Sequence, residues 1–263
     1  MKVELKTWAG LGLATALVGA GLAGCAGENG EGDDTEATAE QGEAGEGEGG
    51  EGEGGEGEGG EGGEGGDLSA LPVEQRVVFM AGHVEAGLAL YRAGEAEAAA
   101  PHMEHPVSET HQSERAGLEK LGFDAEPFEA VAAALKSNTA ASEIEPQLKA
   151  VEANLAKVRE AAGGDPEALI RFLMNVTVDE YNIAVPEQTV VDAPEYQDAW
   201  GFAKVAQAIA ADLDTPNADK IRATIDEMLG LWPDDAPVPP SDPASAGQVS
   251  ALAARVVLDL PQE

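Results

Sequence analysis

The sequence predicts an all-α protein: an antiparallel helical bundle, or a stack of helical hairpins, of about eight short helices. Three observations predict it. Apolar residues recur at steps of three and four through most of residues 68–263, so successive segments each carry one apolar stripe. No stretch alternates apolar and polar residues as a half-buried strand would. Gly and Pro fall between the striped segments, where helices stop and start.

The first stripe is Val73, Val77, Met80, Val84, Leu88 and Tyr91, and Gly94 ends it. Residues 95–105 form a short second arm interrupted by Pro101. Pro106 suits the first turn of a helix running to Leu121 and closed by Gly122. Phe128, Val131 and Leu135 mark a short helix. Ser142 and Glu145 read as a capping box opening a helix with Ile144, Leu148, Val151, Leu155 and Val158 inside, stopped by Gly163-Gly164. Asp165-Pro166 starts the next, burying Leu169, Leu173 and Val176. Asp192-Ala193-Pro194 begins a helix carrying Tyr196, Trp200, Ala203 and Ile209, and Thr215-Pro216 begins one carrying Ile221, Ile225, Met228 and Trp232. A proline-rich stretch, residues 233–243, is extended. Asp242-Pro243 caps a last helix with Val249, Leu252, Val256 and Leu260.

Two segments precede this body. Residues 1–25 read as a signal peptide: Lys2 and Lys6, then a short Gly- and Ala-rich apolar stretch, too short for a permanent span, then Leu22-Ala23-Gly24-Cys25. That ending resembles the bacterial lipobox. The resemblance implies that Cys25 is lipidated and becomes the first residue of a membrane-anchored lipoprotein, its acyl chains (palmitate among them) held in the bilayer. Ala26 stands where an inner-membrane retention signal would have Asp, which implies the outer membrane, facing the periplasm, in an envelope with two membranes. Residues 26–67 hold 16 acids and no base, and from 45 to 66 every residue is Gly or Glu. With nothing to bury, such a segment cannot offset its ordering entropy, so a disordered acidic linker is expected. A neutral coil of that length spans about 35 Å root-mean-square, and like-charge repulsion extends it.

Of the 263 residues 50 are acidic and 15 basic, a formal charge of −35. No basic run exists to neutralise phosphates, so nucleic acid is excluded as a partner. A single Cys excludes an internal disulfide framework. The negative field would draw cations toward the protein. Abundant Asp and Glu with little Lys also fit adaptation to a saline medium.

The candidate chemistry is concentrated in one place. All four histidines lie between positions 83 and 111. Around a turn at Gly94, His83 lies eleven residues before and His105 eleven after, so an antiparallel hairpin sets them side by side, with His102 three residues from His105. Glu109 is four beyond His105, on the same face if the helix continues. Imidazoles and a carboxylate converging from adjacent helices suit iron, zinc or copper. The expected metal set is His83, His102, His105 and Glu109, with His111, Glu114 and Glu85 as further candidates. Met80 and Met103 are thioethers that would admit Cu(I). Packing accounts equally well for His111, which is four from Val107 and seven from Leu118. Trp200 and Trp232 sit at core spacing, and Asp179-Glu180 and Asp234-Asp235 read as solvated charge.

Further resemblances are local. Residues 86–100 resemble one tetratricopeptide hairpin, without a second copy at a fixed period. Imelysin-type lipoproteins carry Gly-x-His-x-x-Glu. Here Gly82-His83-Val84-Glu85 has the Gly-His pair and His111-Gln112-Ser113-Glu114 has the His–Glu spacing. The tether, the segment around His83 and His102-Met103-Glu104-His105-Pro106 together resemble a loose set of bacterial lipoproteins with a helical domain. No phosphate-binding loop, Gly-x-Ser-x-Gly or His-Glu-x-x-His occurs, so no enzyme is expected. Two functions follow: a lipoprotein that binds a transition metal ion for buffering or for delivery to an envelope transporter, or a tethered scaffold that binds a protein or peptide between hairpins without metal.

Overall fold

Every regular element among the described residues (70–108, 115, 117–233 and 236–261 of this computed structural model) is helical. The α-helices are α1 (Val73–Ala93), α2 (Ala96–Glu104), α3 (Glu126–Lys136), α4 (Glu145–Ala162), α5 (Pro166–Ala184), α6 (Ala193–Ala211), α7 (Ala218–Leu229) and α8 (Ala246–Asp259). None of them is long and apolar enough to cross a membrane. Cys25 and the whole of residues 1–67 lie outside the described residues.

Local chemistry sets the ends. At Gly94 φ reaches 92°, a left-handed turn that glycine adopts without strain, and the Glu95 N–H reaches back to the Leu90 carbonyl at 2.9 Å. Asp165 caps α5 by accepting from the Glu167 N–H at 3.1 Å, with Pro166 in the first turn. Four boundaries differ from expectation. Helix α2 runs through Pro101, which is exposed, and tightens into a 3-10 turn at His105–Val107. The helix expected from Pro106 to Leu121 is broken: Ser108 is extended, Gly117 takes φ 86°, and only a 3-10 turn, Leu118–Leu121, precedes Gly122. Ser142 sits in its own 3-10 turn and caps nothing, because Pro146, lacking an N–H, fixes the start of α4 at Glu145. The capping box of α8 is Ser245 with Gln248, two residues past Pro243.

Packing closes two four-helix rings. In the first, α1 packs on α2, α2 on α3, α3 on α4, and α4 back on α1. In the second, α5 packs on α6, α6 on α7, α7 on α8, and α8 back on α5. Short connections make α1 and α2, α3 and α4, α5 and α6, and α6 and α7 antiparallel neighbours. The rings meet along α1 and α6, with α5 and α2 contributing at the margins. The first half of α6 therefore has protein on all sides: residues 195–203 are buried without interruption. Behind it, Tyr181 and Tyr196 pack on Trp232, whose indole N–H donates to the Tyr196 carbonyl at 3.2 Å. This cluster ties the turn after α7 to the second ring.

Candidate metal centre

The seam between the rings is made close by missing side chains. A Cβ on Gly201 of α6 would overlap the Gly82 carbonyl oxygen of α1, and a Cβ on Gly82 would overlap the Phe202 ring. One turn further along α1, a Cβ on Gly87 would come within 2.8 Å of the Met103 sulfur and 3.0 Å of the His102 Cβ. These three glycines let α6 and α2 approach α1 closely. His83 follows Gly82, Asp198 precedes Gly201 by three residues, and His102 lies over Gly87. The backbone approach thus delivers two imidazoles and a carboxylate to one point.

At that point the Asp198 Oδ1 lies 2.8 Å from His83 Nδ1 and 2.9 Å from His102 Nδ1. Both contacts have the length of charge-assisted hydrogen bonds. On its other side the His102 ring meets Gln197, with Nε2 2.7 Å from Oε1. His83, His102 and Asp198 are each 3% exposed. Phe79 and Phe202 set their rings edge-on to His83, at centroid distances of 4.9 and 5.3 Å, and exclude water from it.

Burial alone would keep the His102 ring neutral. The Asp198 carboxylate and the bonds to Asp198 and Gln197 outweigh that and hold its pKa above the ordinary histidine value. Burial likewise opposes charge on Asp198, but His102 and His83 more than compensate and hold its carboxyl far below the usual range. The centre stores a buried anion between two imidazole rings.

These donors fit a metal ion. One atom from each of His83, His102 and Asp198 falls within 4.8 Å of the others. Ligands bound at about 2.1 Å in tetrahedral array stand about 3.4 Å apart, between the 2.8 and 2.9 Å of the two Asp198 contacts and the 4.8 Å limit of the set. Two imidazole nitrogens and one carboxylate oxygen suit iron, manganese or zinc.

The other sequence candidates distribute as follows. His105, 2% exposed, stacks on His83 with ring centroids 4.1 Å apart and 35° between planes. The hairpin register about Gly94 thus does set these two side by side, while the three gathered donor atoms come from His83, His102 and Asp198. Met80 and Met103 are buried in the core, and the Met103 sulfur packs at Gly87. Glu85 is half-buried, in the field of Glu152, Lys204, Arg159 and Arg92. Glu109, His111 and Glu114 lie outside the described residues.

Sequence reasoning missed Asp198, Gln197 and two further acids, Glu180 and Glu195, which are 6% and 2% exposed. Asp179 is exposed as expected of solvated charge, but Glu180 points inward. Its carboxyl meets that of Glu195, and burial, that contact, and the charges of Glu195 and Asp198 push its pKa up. Acids near the start of a helix are ordinarily read as partners of its dipole, which hides Glu195 and Asp198. The available signal was the rest of α6. In its first half Tyr196, Ala199, Trp200, Gly201, Phe202 and Ala203 are small or apolar all round the helix, so polar residues among them must be buried.

A family model described as an iron permease-associated 4-helix bundle domain matches residues 165–261. The match coincides with the second ring, α5 to α8. It contains Asp198, Glu180 and Glu195, while the histidines lie before it. No curated protein and no solved structure matches the chain.

Proposed function

We propose that this protein is an iron-binding lipoprotein of the bacterial envelope, which holds Fe(II) at His83, His102 and Asp198 and buffers it or passes it to an iron permease. The observation that carries the reading is the buried convergence of two Nδ1 atoms on one carboxylate oxygen across the seam of the two rings. The match of the second ring to an iron permease-associated domain supports iron over the zinc and copper that the histidines alone would allow. The donor chemistry agrees: with two imidazoles, a carboxylate and no thiolate, the centre suits a borderline divalent ion better than Cu(I). The lipobox-like ending at Cys25 supports attachment to the outer membrane, on the periplasmic face, and the Glu/Gly segment then acts as a spacer. A carrier needs no catalytic group, and we read the protein as a non-enzyme.

Elemental analysis of the purified full chain after anaerobic exposure to Fe(II) tests the reading. Stoichiometric iron that disappears in His102→Ala supports it. A chain that takes up no iron, or takes it up equally after that substitution, refutes it.

A further inference from the structure

Glu180 of α5 and Glu195 of α6 are both buried, and their carboxyl groups lie within hydrogen-bonding reach of each other. No donor among the described residues reaches Glu180 Oε2 or Glu195 Oε1. The charges acting on Glu180 are those of Glu195, Asp198 and His83, with no Lys or Arg among them. Two facing carboxylates in a dry interior need something positive between them, either a proton or a cation. Asp198 lies three residues after Glu195 on the same face of α6, so the pair adjoins the histidine centre.

We propose that Glu180 and Glu195 form a second divalent-cation position beside the His83–His102–Asp198 centre, so that the helical body takes two ions. The inference rests on the reading of that centre as a metal site and adds to it. Oxygen donors alone favour a hard divalent ion such as Mn(II) and disfavour Cu(I). The second ring supplies both ligands of this position, and the first ring supplies the imidazoles of its neighbour. A shared proton is the competing occupant.

Mn(II) is the probe, titrated into the full chain and counted by the electron paramagnetic resonance of the free ion. The wild type should bind two equivalents, and the isosteric Glu195→Gln and Glu180→Gln variants one each, with unchanged helix content by circular dichroism. If the wild type binds one equivalent, keeps it in both amide variants and loses it in His102→Ala, the carboxylates share a proton and the inference falls while the histidine centre stands. A wild type that binds no Mn(II) and no Fe(II) overturns both.

Discussion

Gly201 of α6 and Gly82 of α1 are in such close backbone approach that a single methyl group on Gly201 would collide with the Gly82 carbonyl oxygen. This is the contact on which the centre depends, because His83 and Asp198 are carried by the same two helices within a turn of it. Gly201→Ala must force the helices apart. Overpacking of this kind costs about 1–3 kcal/mol, to be measured by urea unfolding, and the same variant should lose stoichiometric metal. An alanine at 201 that leaves both quantities unchanged would show that the approach is not what positions the ligands.

Among the described residues, Asp198 is the anion that raises the pKa of His102. In Asp198→Asn the ring should titrate at lower pH, followed through the His102 ring protons by nuclear magnetic resonance. The metal-free variant should also be less stable, by about 3–5 kcal/mol if the buried pair is fully broken. A His102 titration that does not move would contradict the assignment of Asp198 as its partner.

Much of this arrangement was legible before the fold was known. The turn at Gly94, fixed by a positive φ that glycine supplies, places His83 beside His105 by counting alone. The acid was not legible in the same way. Glu109 looked suitable by helical spacing, but the helix that would have carried it stops at Ser108 and the chain turns again at Gly117. Asp198 comes from a helix in the other ring, and its approach depends on Gly82 and Gly201, which sequence periodicity does not register. Ser142 shows the same limit locally, since a capping box is only an option and Pro146 decided where α4 begins.

Stability of the metal-free protein should fall toward alkaline pH. Glu180 holds its proton in the folded state well above the value near 4.3 expected of an unfolded glutamate. Its protonation therefore favours the folded state fully below that unfolded value. The contribution fades as pH rises through the raised folded pKa. His102, also raised, acts in the same direction from about 6.5 upward. Thermal melts between pH 5 and pH 9, as a chosen range, should show a falling Tm, and Glu180→Gln should flatten the slope. An equal slope in the variant would remove Glu180 from the account.

Cys25→Ser should release the protein from the membrane fraction, and mass spectrometry of the wild-type amino-terminal peptide should show Cys25 bearing acyl chains. A wild-type peptide with an unmodified Cys25, or a variant still retained with membranes, would remove the anchor.

The most direct test is anomalous diffraction at the iron edge from crystals of the protein loaded with Fe(II). The account predicts a peak within about 2.2 Å of His83 Nδ1, His102 Nδ1 and an oxygen of Asp198. Iron found only on surface carboxylates, with that position carrying no peak, would contradict it.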